Sequence, residues 1–395
     1  MQKIESEMKI LSWHPVLTDH QSYTLDALKK KCDGDLEVYV AKTSNVERNA
    51  QGWVNKHASS LSSKLIPNKG WLKFIIKRLR NNSDAVHIFG SPFEQPKLII
   101  VLLIAIVMGR RVYLISEPYS PISIGYQNDK RHFINWLKSQ VRPFLYRIYG
   151  VLLRRRIEGV FAISCLAIEQ YKRIGFASKK IFPFGYFVTA QNAPNISNTP
   201  DDSLGEEDFK LVFVGNLIAR KGLDVLINSI RTLNEMGFDL TLDVYGPGDP
   251  NQYSFDESKI RYCGKIPFGN SQSVISKYDF LILPSRFDGW GVVVNEALMA
   301  GVPVICSNQV GASAIISKWL CGTTFVSGDA SDLAFKLEGL LQNKERFKSM
   351  RTAAKMASYS LEPKVAGQYM FDIINQNSIA DSLRKKIESP WYECE

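Results

Sequence analysis

Two acids eight positions apart, Asp288 and Glu296, bracket a turn whose residue types suit an anionic ligand. The surrounding stretch, Asp279–Gly311, reads DFLILPSRFDGWGVVVNEALMAGVPVICSNQVG. Phe280–Leu283 is an apolar run stopped by Pro284, as a strand buried on both faces would be. Ser285–Gly291 then forms a loop, with Gly289 and Gly291 flanking Trp290. Val292–Ala300 has the composition of a helix, Gly301 ends it, and Val302–Ile305 is the next β-branched run. A loop that opens a helix at the carboxyl end of a parallel strand aims free N–H groups and the helix dipole at whatever binds there. A second segment carries the complementary charge. Lys210–Gly215 reads as a strand, Leu223–Gly237 as a helix, and Arg220-Lys221-Gly222 lies between them. Cations at a helix start oppose the dipole, so Arg220 and Lys221 point to an anion held there. Such a pair would take up charge building on a departing phosphate oxygen.

These residues resemble the nucleotide-sugar site of the retaining glycosyltransferases of family 4, which have the GT-B fold. The pattern is an acid, seven residues and Glu, embedded in Asp288 … Gly291 … Glu296-Ala297 … Gly301-Val302-Pro303-Val304. The resemblance implies an α/β protein of two Rossmann-like domains facing a central cleft, with a C-terminal helix crossing back to the first domain. It implies that Arg220 and Lys221 hold the donor diphosphate, helped by backbone N–H groups around Gly289, Trp290, Gly291 and Val292. Asp288 would meet the donor sugar and Glu296 the ribose. Gly215, Asn216, Gly246 and Ile266 match further donor positions, Ile266 lying where the family's backbone contacts the nucleobase. No metal or other cofactor is expected, the nucleotide sugar being a co-substrate. Five sites depart from the family pattern, one of them Ala314, where the family often has Glu. Asp288 stands where Glu is usual, Asn216 where Arg is, and Ser116-Glu117 where a His lines the cleft. Thr18-Asp19-His20 replaces paired glycines near the acceptor. Glu117 is either a carboxylate able to accept the acceptor hydroxyl's proton or a loop acid paired with an arginine. His14 and His20 are acceptor contacts or surface residues. His87 lies inside a strand, where a packed histidine is the commoner outcome.

Composition sets the outer bounds. A chain of 395 residues with 45% hydrophobic content has room for two or three domains with full cores. Six cysteines without paired spacing suggest reduced thiols and no zinc site. The polar start, Met1–Glu7, does not read as a secretory signal, and the longest apolar run, Leu98–Met108, is too short to span a bilayer. The expectation is a cytoplasmic protein, peripheral on the inner face of the plasma membrane. Charge is uneven: residues 1–190 carry 29 Lys/Arg against 14 Asp/Glu, and residues 191–395 carry 20 against 25. The first half therefore meets something anionic.

Along the chain, strands are expected at Met8–Trp13, Leu36–Ala41, Asp84–Phe89, Arg111–Ile115, Gly159–Ser164 and Ile181–Phe184. Helices are expected at Ser22–Lys30 and Leu98–Met108. Pro67–Arg80 reads as a basic amphipathic helix. Lys130–Arg156 interleaves Phe133, Trp136, Leu137, Val141, Phe144 and Leu145 with basic residues, around Pro143. It reads either as a helix lying in a headgroup layer or as one packed on the domain core. In the second half, a strand is expected at Leu240–Tyr245 and a short helix at Ser271–Lys277, with Arg261–Gly264 leading to Lys265-Ile266-Pro267. These elements divide into a first domain at 1–190, a polar linker at 191–209, a nucleotide-sugar domain at 210–365 and a returning helix at 366–395. The functional expectation is transfer of a sugar to a lipid-linked or saccharide acceptor hydroxyl, in surface polysaccharide or glycolipid synthesis. An inactive GT-B accessory protein and a nucleotide-sugar epimerase are the alternatives. Nucleic-acid binding has no motif behind it.

Overall fold

The computed structural model describes residues 8–43, 61–121, 132–191, 209–256, 258–267, 269–376 and 387–394. Most of the polar linker and residues 377–386 of the expected returning helix lie outside them. The chain forms two compact units. One comprises Met1–Pro118, Phe144–Val188 and Pro363–Pro390, the other Tyr119–Pro143, Thr189–Glu362 and Trp391–Glu395.

The first unit is built on a seven-stranded sheet. Its strands are β1 (Ile10–His14), β2 (Leu36–Val40), β3 (Ser63–Leu65), β4 (Val86–Gly90), β5 (Arg111–Ser116), β6 (Gly159–Ile163) and β7 (Ile181–Phe184). The order is β3-β2-β1-β4-β5-β6-β7 and each pair is parallel, with Ile10 level with Leu36 and Val86. Strands covered on both faces read as continuous apolar runs, and β1, β4 and β6 are buried throughout. Trp13 stacks on Tyr39 with ring centroids 4.6 Å apart. The helix after β1 begins at Asp19, three residues earlier than expected, because Thr18 caps it and its N–H donates to Gln21 at 3.3 Å. The helix Pro363–Gln376 packs against Asp19–Lys31 at Gly367, where a Cβ would sit 2.8 Å from the Ala27 backbone.

Two basic helices end differently. In Trp71–Asn81, Ile75 and Leu79 are buried while Lys73 and Lys77 face solvent. In His132–Leu153 the apolar residues stay outside: Phe133 is 72% exposed, Phe144 63% and Trp136 52%. Core packing is therefore ruled out for that apolar series. Among the described residues no helix is long and apolar enough to cross a membrane.

The second unit carries β8 (Phe209–Val214), β9 (Leu240–Tyr245), β10 (Ile260–Tyr262), β11 (Phe280–Leu283), β12 (Val304–Ser307) and β13 (Gly322–Phe325). The order is β10-β9-β8-β11-β12-β13, again parallel. Phe209, Phe280 and Phe347 meet in its core, Phe209 edge-on to Phe347 and both tilted against Phe280. β12 starts two residues later than the β-branched run suggested, after Pro303, which has no N–H to give a ladder. Trp391 and Tyr392 are fully buried, and the Trp391 indole N–H donates to the Ser360 carbonyl at 2.7 Å. Cys32, Cys263, Cys306 and Cys321 are free thiols. Cys165 and Cys394 are each disulfide-bonded, which corrects the expectation of six reduced cysteines.

Candidate functional site

Strand order in the second sheet reverses between β8 and β11. Open parallel sheets bind ligands outside the carboxyl ends of their strands at such a point. Gly215–Gly222 leaves β8 there and Pro284–Gly291 leaves β11. The two segments are laced together. The Arg286 N–H donates to the Arg220 carbonyl at 2.8 Å, and the Arg220 guanidinium donates to the Phe287 carbonyl at 2.7 Å. Arg286 forks onto Asp224 at 2.8 and 2.6 Å. Gly222 has φ of +69°, and a Cβ there would lie 2.0 Å from the Pro284 carbonyl oxygen. Only glycine permits that approach.

The lacing sets Lys221 directly on Asp288, its ammonium donating to Oδ2. Both side chains are mostly buried. The Asp288 backbone is pinned on both sides, its N–H to the Gln309 carbonyl and its carbonyl to the Gly311 N–H, each at 2.9 Å. Burial alone would raise the Asp288 pKa. Lys221 and then Arg220 outweigh that, with the Trp290 N–H also donating, and hold the carboxyl below the usual carboxylate range. The centre is thus an ionised acid between two cations.

Trp290 is 2% exposed and its indole N–H donates to Asn295 at 2.8 Å, so the ring pins the loop from beneath. Gly289 and Gly291 flank it, and Val292 opens the helix Val292–Met299. Glu296 projects from that helix and accepts a hydrogen bond from the Ser271 hydroxyl at 2.7 Å. Burial pushes its pKa up to about 7, against a smaller downward pull from Ser271. Gly215 and Gly246 meet backbone to backbone: a Cβ on Gly246, at φ of +149°, would fall 1.8 Å from the Gly215 oxygen. Asn216 lies between Gly215 and the cations, and Ile266 lies on the half-buried loop after β10. Ser271 and Arg286 were not legible as site residues. Ser271 lies 25 positions from the acid it serves, with nothing local to mark it.

In the first unit, the four singled-out residues separate into two pairs. His14 and His87 are fully buried, and burial lowers the pKa of each to about 4. Ser12 holds the His14 ring at 2.7 Å and the Trp13 indole donates to His87 at 3.2 Å. Glu117 and His20 are brought together by Tyr186. Its hydroxyl donates to the Glu117 carboxylate, and its ring lies 4.1 Å from the His20 imidazole. His20 in turn meets the Thr18 hydroxyl at 3.0 Å. These residues follow β5, β7 and β1, at the carboxyl edge of the sheet.

Residues 197–357 match the family described as Glycosyl transferases group 1, a span that contains the whole second sheet. The chain is 24% identical over 301 residues to an uncharacterized 41.2 kDa protein in the cps region of Klebsiella pneumoniae, covering 75% of this chain and 76% of that one. It is 26% identical over 144 residues to the capsular polysaccharide biosynthesis glycosyltransferase CapM of Staphylococcus aureus, covering 35% of this chain and 38% of that one. The structure of Anabaena Alr3699/HepE in complex with UDP matches with a TM-score of 0.67 at 14% identity, over 93% of this chain and 100% of that chain. The protein is a glycosyltransferase of GT-B fold. The matched span lies within the Thr189–Glu362 segment of the second unit.

Proposed function

We propose that the protein is a retaining glycosyltransferase that moves a sugar from a nucleotide-sugar donor to an acceptor hydroxyl in cell-surface polysaccharide or glycolipid synthesis. The observation that carries this is the Lys221–Asp288 pair, with Arg220 beside it, at the strand-order reversal. As the glycosidic bond breaks, negative charge grows on the departing diphosphate. Arg220 and Lys221 are cations already fixed in position, so their stabilisation needs no reorganisation at that moment. They do the work for which a bound metal would otherwise serve. Asp288 remains ionised and accepts hydrogen bonds from the donor sugar's hydroxyls. Glu296, one helix turn into the same element, accepts the ribose hydroxyls. Glu117 takes the acceptor hydroxyl's proton, with Tyr186 and His20 holding it. The similarity to CapM, a capsular polysaccharide biosynthesis glycosyltransferase, supports the polysaccharide setting.

The acceptor is a lipid-linked or saccharide hydroxyl, met at an anionic membrane surface. The exposed apolar series of His132–Leu153, interleaved with Lys138, Arg142 and Arg147, supports this, as does the basic first half of the chain. The enzyme is then cytoplasmic and peripheral on the inner face of the plasma membrane. Released nucleoside diphosphate, measured with donor and acceptor together and with donor alone, tests the assignment. Release only with acceptor, surviving chelator, is expected. Turnover of donor without acceptor would instead identify an epimerase or hydrolase.

A further inference from the structure

Glu296 is the end of a hydrogen-bond chain that begins where the polypeptide enters the second unit. Ser271 gives its one hydroxyl proton to Glu296 Oε1 at 2.7 Å, and its oxygen accepts from the Gln191 side-chain amide at 3.4 Å. The other end of that amide is also engaged, since the Gln191 carbonyl oxygen accepts from the Gln272 N–H at 3.2 Å. Gln272 returns the contact. Its side-chain oxygen accepts from the Gln191 N–H at 2.9 Å, and its side-chain nitrogen donates to the Thr189 carbonyl at 2.9 Å. Gln272 is 1% exposed, so the reciprocal pair is shielded from competing water.

We propose that Ser271 and Gln191 are positioning residues for Glu296, aiming its carboxylate at the ribose of a nucleoside diphosphate through the chain Gln191 Nε2–H, Ser271 Oγ–H, Glu296 Oε1. The reasoning is stereochemical. A serine hydroxyl has a single proton and rotates freely unless its oxygen is also engaged. With Gln191 donating into that oxygen, the proton is directed to Glu296. The carboxylate is then held through one oxygen and keeps lone pairs for two vicinal hydroxyls. The Thr189–Gln191 segment becomes part of the donor site, although it lies about eighty positions from Ser271. The ligand class rests on the reading of Glu296 as the ribose acid; the positioning of the carboxyl does not.

The test therefore has two readouts. In the first, the Glu296 side-chain carboxyl is followed by carbon-13 NMR through a pH titration, its resonance assigned with Glu296→Gln. Removing a hydrogen bond given to the ionised form raises the midpoint, by about one pH unit for a donor at this distance. Ser271→Ala is expected to show that rise and Gln191→Ala a smaller one in the same direction. An unmoved midpoint in Ser271→Ala overturns the proposal for Ser271, and one unmoved in Gln191→Ala overturns it for Gln191. Ser271→Thr, which keeps the hydroxyl, should restore the native midpoint, and its failure would mark a packing effect instead.

The second readout compares binding of uridine and guanosine diphosphates with that of their 2′,3′-dideoxy analogues. Preference for the ribose form should fall about tenfold in Ser271→Ala, with the dideoxy affinities unchanged. An unchanged preference overturns the ligand half of the proposal. If no nucleotide binds the native protein, the functional reading fails while the titration still decides the positioning.

Discussion

The carboxyl edges of the two sheets carry acids held in opposite ways. In the second unit, Asp288 is clamped by two cations supplied by the segment after a neighbouring strand. In the first, Glu117 is held by a neutral phenol, Tyr186, beside an imidazole. The roles proposed for the two edges account for the difference. A site for a diphosphate must place fixed positive charge where negative charge grows, and its acid is then necessarily ionised. A site for a hydroxyl needs an acceptor of protons, which a lysine on the carboxylate would weaken. The basic residues of the helix His132–Leu153, which passes from the second unit into the first at Phe144, stand instead around an exposed apolar face.

The largest effect expected from breaking this contrast is at Lys221. Lys221→Ala leaves Asp288 mostly buried beside Arg220 alone, and should cost about 3–5 kcal/mol of stability in denaturant titration as well as abolishing turnover. The double variant Lys221→Ala/Asp288→Asn should recover most of the stability but none of the turnover. Arg220→Ala should lower kcat by roughly a hundredfold or more, the usual penalty for one donor at a developing oxyanion. Steady-state rates of nucleoside diphosphate release measure it.

An intermediate effect is expected at Tyr186. Tyr186→Phe removes the hydroxyl on Glu117 but keeps the ring on His20. It should cut kcat/KM for the acceptor about tenfold while leaving nucleotide affinity unchanged. In a Glu117→Gln background it should add little, since contacting residues are not additive. A change in nucleotide affinity would mean that the two edges do not have separate tasks.

The smallest effect is one of pH. The Glu296 carboxyl has an ordinary pKa of 4.5 and one of about 7 in the folded chain. The folded state thus binds the proton more tightly, so the contribution of this group to stability should fall as pH rises between those values and level off above them. Glu296→Gln should remove that contribution, so that stability rises more steeply with pH in thermal melts taken across the range. Ribose hydroxyls favour the ionised carboxylate, so nucleotide affinity should strengthen as pH rises through 7. Burial gives His14 and His87 the opposite behaviour. Each is neutral in the folded chain down to about 4 but takes a proton near 6.5 when unfolded, so their contribution to stability should rise with pH up to about 6.5.

The sequence disclosed the two edges unequally. The second unit's acid, glycines and helix lie within one 33-residue stretch, and β9 and β11 fall at their expected limits. Periodicity and motif spacing report local order of this kind well. Contacts made across long separations leave no such trace. Lys221 meets Asp288 across 67 positions, and Tyr186 meets Glu117 across 69. The first pair was anticipated as two site residues through family resemblance; the contact itself was not. The second lacked any motif, so Glu117 and His20 were singled out without Tyr186, which joins them. Helix Cys165–Arg173 is capped by Ser164, the residue at which the expected strand Gly159–Ser164 ends. The exposed face of His132–Leu153 shows the same limit. Its apolar residues have helical spacing whether or not they pack on a core, and only the fold decides between the two.

The central claim is that the second unit holds a nucleotide sugar between Lys221, Arg220, Asp288 and Glu296. Its most direct test is thermal stability against a panel of nucleotide sugars, with Glu296→Ala alongside. A ligand at about a hundred times its dissociation constant stabilises by about 2.7 kcal/mol, a readily measured shift in Tm. One donor should shift the native protein and leave the variant largely unmoved. Equal shifts in both proteins, or none with any donor, would contradict the claim.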